Sequence, residues 1–248
     1  MTYKDKEKER YDKIASSVLS NSKLSSVDVN ILTPPLKIPT LDYRSKVNKY
    51  TNSDSLILEI GAGMGENTSF LLETGARVLA TDISNKSLLV LKNRYNTSRL
   101  VTKVEDMNNL SFDSEKFDVV CSAGSLSYGD NTIVMNEIYR VLKKGGVMIA
   151  VDSLNNNPIY RFNRYMHYLK GNRSKSTLMR MPTMSLIEKY TEKFGYAEVK
   201  FFGAITWIFP LLSKVLSEQM LTKLSNWVDA KFNIQSSAFK FVIMLEKK

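Results

Sequence analysis

The sequence predicts an α/β fold, a Rossmann-like, doubly wound parallel sheet. Three observations carry this. Apolar runs of strand length alternate with helix-period segments five times between residues 56 and 153. The first run, "LILEI" (56–60), is apolar without alternation, as in a parallel strand covered by helices on both faces. A loop with Gly61, Gly63 and Gly65 at alternate positions follows it, a tight strand-to-helix turn.

Taken in order, residues 1–13 alternate lysine and acid as a frayed or helical start, and "YDKIASSVLS" (11–20) continues with helical spacing. The segment 31–50 is punctuated by Pro34, Pro35 and Pro39 and reads as a loop leading into a short helix. After the first strand come a helix over 65–75, a strand over 76–84 ("ARVLATDIS") and a helix over 85–95. Strands over 100–107 ("LVTKVEDM") and 117–125 ("FDVVCSAGS") follow. A helix over 132–146 is stopped by Gly145 and Gly146, and a fifth strand, "VMIAVDS", covers 147–153. The rhythm then breaks into a polar, basic segment (154–182) and a helix (184–195). Strands at 197–203 and 238–248 flank a mostly helical insert, 204–237. No internal repeat or low-complexity tract is present in the sequence.

The 248 residues suit one domain with a sizeable core, divided into an N-terminal lid region (1–50), a ligand-binding core (51–153) and a second lobe (154–248). With 43% hydrophobic and 24% charged residues the composition is that of a globular chain. A single cysteine, Cys121, excludes an internal disulfide and fits a reducing compartment. The charged N-terminus lacks a signal peptide's apolar stretch, and no apolar run approaches the roughly 20 residues that span a bilayer. A cytoplasmic location is expected, with peripheral contact at the inner membrane surface left open. The formal net charge of +10 favours acidic partners, whether nucleic acid, anionic lipid or phosphorylated small molecules, or simply keeps the chain soluble.

The stretch "LEIGAGMGENTSF" (58–70) says more about the ligand. A dinucleotide fingerprint has glycine at its first, third and sixth positions, with a diphosphate on the helix N-terminus. Here the sixth position is Glu66, whose carboxylate repels a pyrophosphate. A cationic ligand with a ribose and no phosphate fits better, and S-adenosylmethionine has that profile. Asp82 ends the second strand 21 residues past Gly61, where a carboxylate suits ribose hydroxyls. Asp106 and Met107 end the third strand, where an acid can accept from an adenine amine and an apolar side chain can cover the ring. Taken singly, Glu59, Asp82 and Asp106 read equally well as strand-end carboxylates satisfied by neighbouring backbone.

These segments, in this order, resemble the motifs of class I S-adenosylmethionine-dependent methyltransferases. "LEIGAGMG" resembles the family's glycine motif, "ATDIS" its acidic second-strand end and "VEDM" its adenine-contact strand. "FDVVCSAGSLSY" resembles the fourth-strand motif, and "EIYRVLKKGGVMIAVD" the helix and strand that follow. The resemblance covers residues 56–153 and implies a seven-stranded sheet whose last strand runs antiparallel. It further implies that Gly61, Ala62 and Gly63 pass close to the methionine part of S-adenosylmethionine and that Glu59 positions its ammonium. Asp82 and Ile83 would border the ribose, Asp106 and Met107 the adenine, and the backbone at Ser122 the methyl group. "YDKIA" resembles a lid segment, implying that Tyr11 closes over the cofactor. More loosely, the chain beyond residue 153 resembles methyltransferases of bacterial surface-polysaccharide biosynthesis, which implies a sugar or glycan-precursor hydroxyl as acceptor.

Methylating a hydroxyl calls for removal of a proton. The lone histidine, His167, and Asp152 at the end of the fifth strand are the candidate bases. Arg161, Arg164, Lys170, Arg173, Lys175 and Arg180 interleave with Tyr160, Phe162, Tyr165 and Tyr168, without an intervening acid. That mixture can hold a phosphorylated or lipid-linked sugar, bind RNA backbone, or form a solvated helix face. "TPPL" (33–36) lies before the first strand, unlike the Pro-Pro motif of amino-directed DNA methyltransferases. Cys121 lacks the preceding proline of a pyrimidine-methylating nucleophile, so a buried structural thiol is expected. No metal is expected. The insert 204–237 could pack on the sheet edge, dock on a bilayer, pair with another subunit or cover the acceptor. RNA methylation and non-catalytic cofactor binding remain the alternatives to a small-molecule methyltransferase.

Overall fold

The structure, a computed structural model, describes residues 2–20, 32, 34–170, 174–232 and 234–248. Seven strands form one sheet: β1 (Leu56–Ile60), β2 (Arg77–Asp82), β3 (Leu100–Val104), β4 (Phe117–Ala123), β5 (Leu142–Ser153), β6 (Gly195–Phe202) and β7 (Lys240–Lys247). The spatial order is β3-β2-β1-β4-β5-β7-β6. β1 to β5 run parallel, while β7 is antiparallel to both β5 and β6. The seven-stranded sheet with its antiparallel last strand is as the resemblance implied.

Side-chain alternation along the strands builds two cores. Leu58, Ile60, Val120, Met148 and Ala150 face one side and pack with α5 (Asn131–Val141) and α8 (Met184–Phe194) through Val134, Ile138, Ile187 and Phe194. Ile57, Val119, Cys121, Ile149 and Val151 face the other. There they meet α2 (Pro34–Tyr50), α3 (Thr68–Glu73) and α4 (Asn85–Arg94) through Tyr43, Val47, Leu71, Leu88 and Leu91. Each fully buried aliphatic side chain contributes roughly 1.5–3 kcal/mol, so covering both faces, rather than helix propensity, decides the layered arrangement. Cys121 is a buried free thiol, pushed up in pKa by burial.

Three departures from expectation have physical causes. The proline-punctuated segment is not mostly loop: α2 runs from residue 34, where the missing proline N–H is no loss, and only Pro39 is interior. Its packing on β5 and β7 outweighs that one lost hydrogen bond. The glycine pair 145–146 does not stop the preceding helix. α5 ends at Val141 and β5 begins at Leu142. The register between β4 and β5 slips between Phe117 and Val119, and Gly145, at φ 72°, lies in the irregular stretch this creates. The polar segment 154–182 contains α6 (Pro158–Leu169) and α7 (Lys175–Met179), capped by the side chains of Asn157 and Ser174.

The insert carries α9 (Phe209–Leu212) and α10 (Glu218–Phe232), and α10 packs against α2 and β6. Asp229 accepts hydrogen bonds from Gly203 N (2.7 Å) and Ala204 N (3.0 Å), tying α10 to the end of β6. Among the described residues no helix is long and apolar enough to cross a membrane. α1 (Tyr3–Ser20) lies against α4.

Candidate functional site

The strand order reverses at the β1/β4 junction, where open α/β sheets hold their ligands at the carboxyl ends. A cavity of about 200 Å³ sits there, roofed by Lys4, Glu7 and Tyr11 of α1. Its floor is the loop after β1. Gly61 has φ 66°, and a Cβ on it would stand 2.4 Å from Ser125 Cβ, so no other residue fits. Ala62 N donates to Thr81 O at 2.9 Å and Gly63 N to Asp82 Oδ2 at 2.9 Å, fixing the loop on the end of β2.

Of the residues singled out from the sequence, Tyr11, Gly61, Ala62, Gly63, Asp82, Ile83, Asp106 and Met107 all line this cavity. Glu59 and Ser122 stand behind it. Glu59 is buried and accepts from Thr68 Oγ1 at 2.6 Å, at the start of α3. Ser122 Oγ pairs with Ser125 Oγ at 2.7 Å, and Ser125, which bonds Ile60 O at 3.0 Å, reaches the cavity in its place. Sequence reading overlooked Lys4, Asn67, Ser125 and Tyr128 as lining residues. Tyr128 closes "CSAGSLSY", so its place after β4 was the available signal.

The lid is closed. Tyr11 and Tyr128 share a hydroxyl hydrogen bond of 2.6 Å, Lys4 pairs with Asp106, and Asp12 accepts from Ser84 Oγ at 2.6 Å. Glu7 accepts from Thr177 Oγ1 at 2.9 Å, linking α1 to α7.

The electrostatics favour a cation. Burial raises the Glu59 carboxyl to about 8, with Glu66 and Asp82 adding to the rise against the Thr68 hydrogen bond. Burial likewise raises Asp82, despite backbone donors at Ser84, Gly63 and Ile83. Asp106 is held below the usual range: its partial burial is outweighed by Lys4 and Asn108. Glu7, Glu66, Asp82, Glu105 and Asp106 line the cavity against a single lysine, Lys4, among the described residues. A positively charged ligand fits this lining, which Met107 completes beside the loop. A pyrophosphate does not.

The catalytic candidates stand elsewhere. His167 is exposed on α6 and lines none of the described cavities. Asp152 is buried and accepts from Leu126 N (3.0 Å) and Ser153 N (2.6 Å). The basic run 161–180 does not form one anion-binding face. Arg164 is buried and donates to Leu154 O (2.8 Å), Arg180 stacks 3.6 Å from the Tyr3 ring, and Arg173 lies outside the described residues. Among the described residues no cluster of three or more His, Cys, Asp or Glu could hold a metal ion.

A second cavity, about 220 Å³, adjoins the first along Glu66, Asn67, Ala123 and Gly124. Leu36, Thr40, Arg44, Val151 and Lys240 complete most of its wall.

Residues 58–150 match the methyltransferase domain family. That span, 93 of the 248 residues, is a methyltransferase domain. Relatives include a demethylmenaquinone methyltransferase of Clavibacter sepedonicus, 33% identical over 39% of this chain and 40% of that protein. A phthiotriol/phenolphthiotriol dimycocerosates methyltransferase of Mycobacterium ulcerans is 30% identical over 43% of this chain and 41% of its own. The chain thus spans about two fifths of the length of each of these curated relatives. In fold, the methyltransferase domain is similar to a Haemonchus contortus phosphoethanolamine N-methyltransferase solved with S-adenosylhomocysteine. That likeness has TM-score 0.58 and 18% identity, over 84% of this chain and 53% of that one. A geranyl diphosphate C-methyltransferase of Streptomyces coelicolor gives TM-score 0.58 at 13% identity, over 86% of this chain and 80% of that one.

Proposed function

We propose that the protein transfers a methyl group from S-adenosylmethionine to a small-molecule acceptor, and that the acceptor atom is a hydroxyl oxygen of a sugar or glycan precursor. One observation carries the transfer reading: an acid-lined cavity that suits a cationic nucleoside shares Glu66, Asn67, Ala123 and Gly124 with a second cavity of different chemistry. Bound S-adenosylmethionine supplies an electrophilic methyl group, so the protein's task is alignment and exclusion of water.

In this reading Asp82 accepts from the ribose, and Asp106 with Met107 receives the adenine, Asp106 exchanging Lys4 for the base. Gly61, Ala62 and Gly63 leave room for the methionine part. Glu59 acts through Thr68, shaping the start of α3 beneath the loop, and Ser122 acts through Ser125. Tyr11 and Tyr128 hold the lid. The base role proposed from sequence for His167 draws no support from its exposed position. Asp152, with both oxygens accepting backbone N–H groups, is a positioning residue for the turn after β4 and for Lys240 across the sheet. A sugar-type acceptor is supported by the polar and cationic lining that Thr40, Arg44 and Lys240 bring to the second cavity.

Calorimetric titration with S-adenosylmethionine and NAD, side by side, tests this. Micromolar binding of the first alone is the expected result, weakened about tenfold or more in Asp82→Ala, as for loss of a charge-assisted hydrogen bond. Binding of NAD alone would overturn the cofactor assignment. Turnover is then sought with nucleotide sugars as the first acceptors.

A further inference from the structure

The second cavity pairs an apolar wall with two cations, Arg44 and Lys240, neither in a direct ion pair among the described residues. Arg44, from α2, is held with its guanidinium 4.7 Å from the Phe70 ring centroid. Its Nε is buried and lacks a hydrogen-bond partner among the described residues. Lys240 enters from the start of β7, opposite Ser153 of β5 and Phe202 of β6. Among the described residues neither cation forms an ion pair with a carboxylate. A buried donor without a partner is costly, and two cations facing one cavity repel. Both penalties fall if an anion bridges them.

Among the described residues the surrounding carboxylates do not pair directly with either cation. Glu66 is the one carboxylate in the described wall, and it pairs with Arg94 at 3.5 Å. Behind Lys240, the attraction of Asp152 is opposed by Arg164, and burial holds the ammonium below its usual pKa. Leu36 and Val151 give the rest of the cavity an apolar surface.

We propose that this cavity is the acceptor site and that Arg44 and Lys240 together hold a phosphate or carboxylate group of the acceptor, with Leu36 and Val151 against its apolar part. The proposal rests on the methyl-transfer reading for the word acceptor, but the anion site stands on the two cations alone. It also moves the anion-binding role from the basic run 161–180 to two residues that the sequence keeps nearly two hundred positions apart. Arg44 can present a fork to two oxygens of one anion, whereas Lys240 adds a point charge. Held there, the acceptor lies beside Ala123 and Gly124, where the two cavities meet.

The test uses the full chain saturated with S-adenosylhomocysteine and two matched pairs of probes: glucose 1-phosphate against glucose, and octyl phosphate against 1-octanol. At least one phosphate is expected to bind about tenfold or more tightly than its neutral partner, the scale of one charge-assisted contact. Glucose 1-phosphate leading would give the acceptor a polar body, and octyl phosphate leading an apolar one. Arg44→Gln and Lys240→Gln are each expected to abolish the preference while leaving S-adenosylhomocysteine affinity unchanged, with Arg44→Lys restoring part of it. No preference for either phosphate, or a preference that survives both substitutions, would overturn the proposal. Failure of the wild-type chain to bind S-adenosylhomocysteine would strike the methyl-transfer reading instead, and the same titrations on the cofactor-free chain would still decide the anion site.

Discussion

Tyr11 of α1 and Tyr128 beyond β4 meet over the cavity, their hydroxyls 2.6 Å apart and their rings edge to face with centroids 5.6 Å apart. The contact joins two segments separated by 117 residues and closes the site from above. Burial and the neighbouring Tyr128 push the Tyr11 hydroxyl well above its ordinary pKa, so it stays a neutral donor. Tyr11→Phe and Tyr128→Phe are each expected to weaken S-adenosylhomocysteine retention several-fold, as for one neutral hydrogen bond of about 1 kcal/mol. Because the two share one bond, the double variant should lose no more than either single one. Additive losses in dissociation rate would show that the hydroxyls act separately.

Gly61 tests the floor of the same cavity. A Cβ there would meet both Ser125 Cβ at 2.4 Å and an unfavourable φ of 66°. Gly61→Ala is expected to abolish measurable cofactor binding. Gly61→Ala combined with Ser125→Gly removes the clash but not the backbone strain, so partial recovery is expected. Full recovery would make the clash the whole of the effect, and none would assign it to backbone conformation.

Glu59 gives a pH dependence. Its folded-state pKa is raised from the model-peptide range to about 8 by burial, so the folded chain holds a proton that the unfolded chain releases. Stability contributed by this group is therefore present at low pH and lost as pH rises toward 8. Glu59→Gln keeps an acceptor for Thr68 Oγ1 and has no proton to lose. Its melting temperature relative to wild type should climb between pH 5 and pH 8, by about 3 °C for each kcal/mol relieved in a chain of this size. A difference that stays flat with pH would remove Glu59 from the account.

The sheet and the residues lining the cavity at its carboxyl ends were legible because their signals are local. Five strands, three of them separated from the next by an α-helix, and the loop from Gly61 to Gly65 sit in consecutive sequence, and Asp82 and Asp106 fall at or just past strand ends, where the fold brings them together. Arg44 and Lys240 had no such signal. One lies on a helix hidden behind prolines, the other opens the last strand, and the insertion of β7 between β5 and β6 puts both on one cavity. Arg164 failed in the opposite sense. It reads as part of a basic surface, yet it is buried against the carbonyl of Leu154, since sequence does not reveal which arginine on a helix turns inward. The glycine pair at 145–146 misled because a helix stop and a strand irregularity use the same residue.

The insert 204–237 admitted four readings from sequence, and Asp229 separates one of them from the rest. Its carboxylate accepts two backbone N–H groups, from Gly203 and Ala204, at the end of β6, with burial raising its pKa against those bonds. That is the arrangement of a helix anchored on its own sheet edge. Asp229→Ala would leave both donors unpaired beside the buried Ala204 and should cost about 1–3 kcal/mol. Asp229→Asn, which keeps one acceptor oxygen, should cost less. Hydrogen exchange should show the loss confined to α10 and the end of β6, with cofactor affinity unchanged. Unaltered protection of α10 in Asp229→Ala would mean that something other than the sheet edge holds the helix in place.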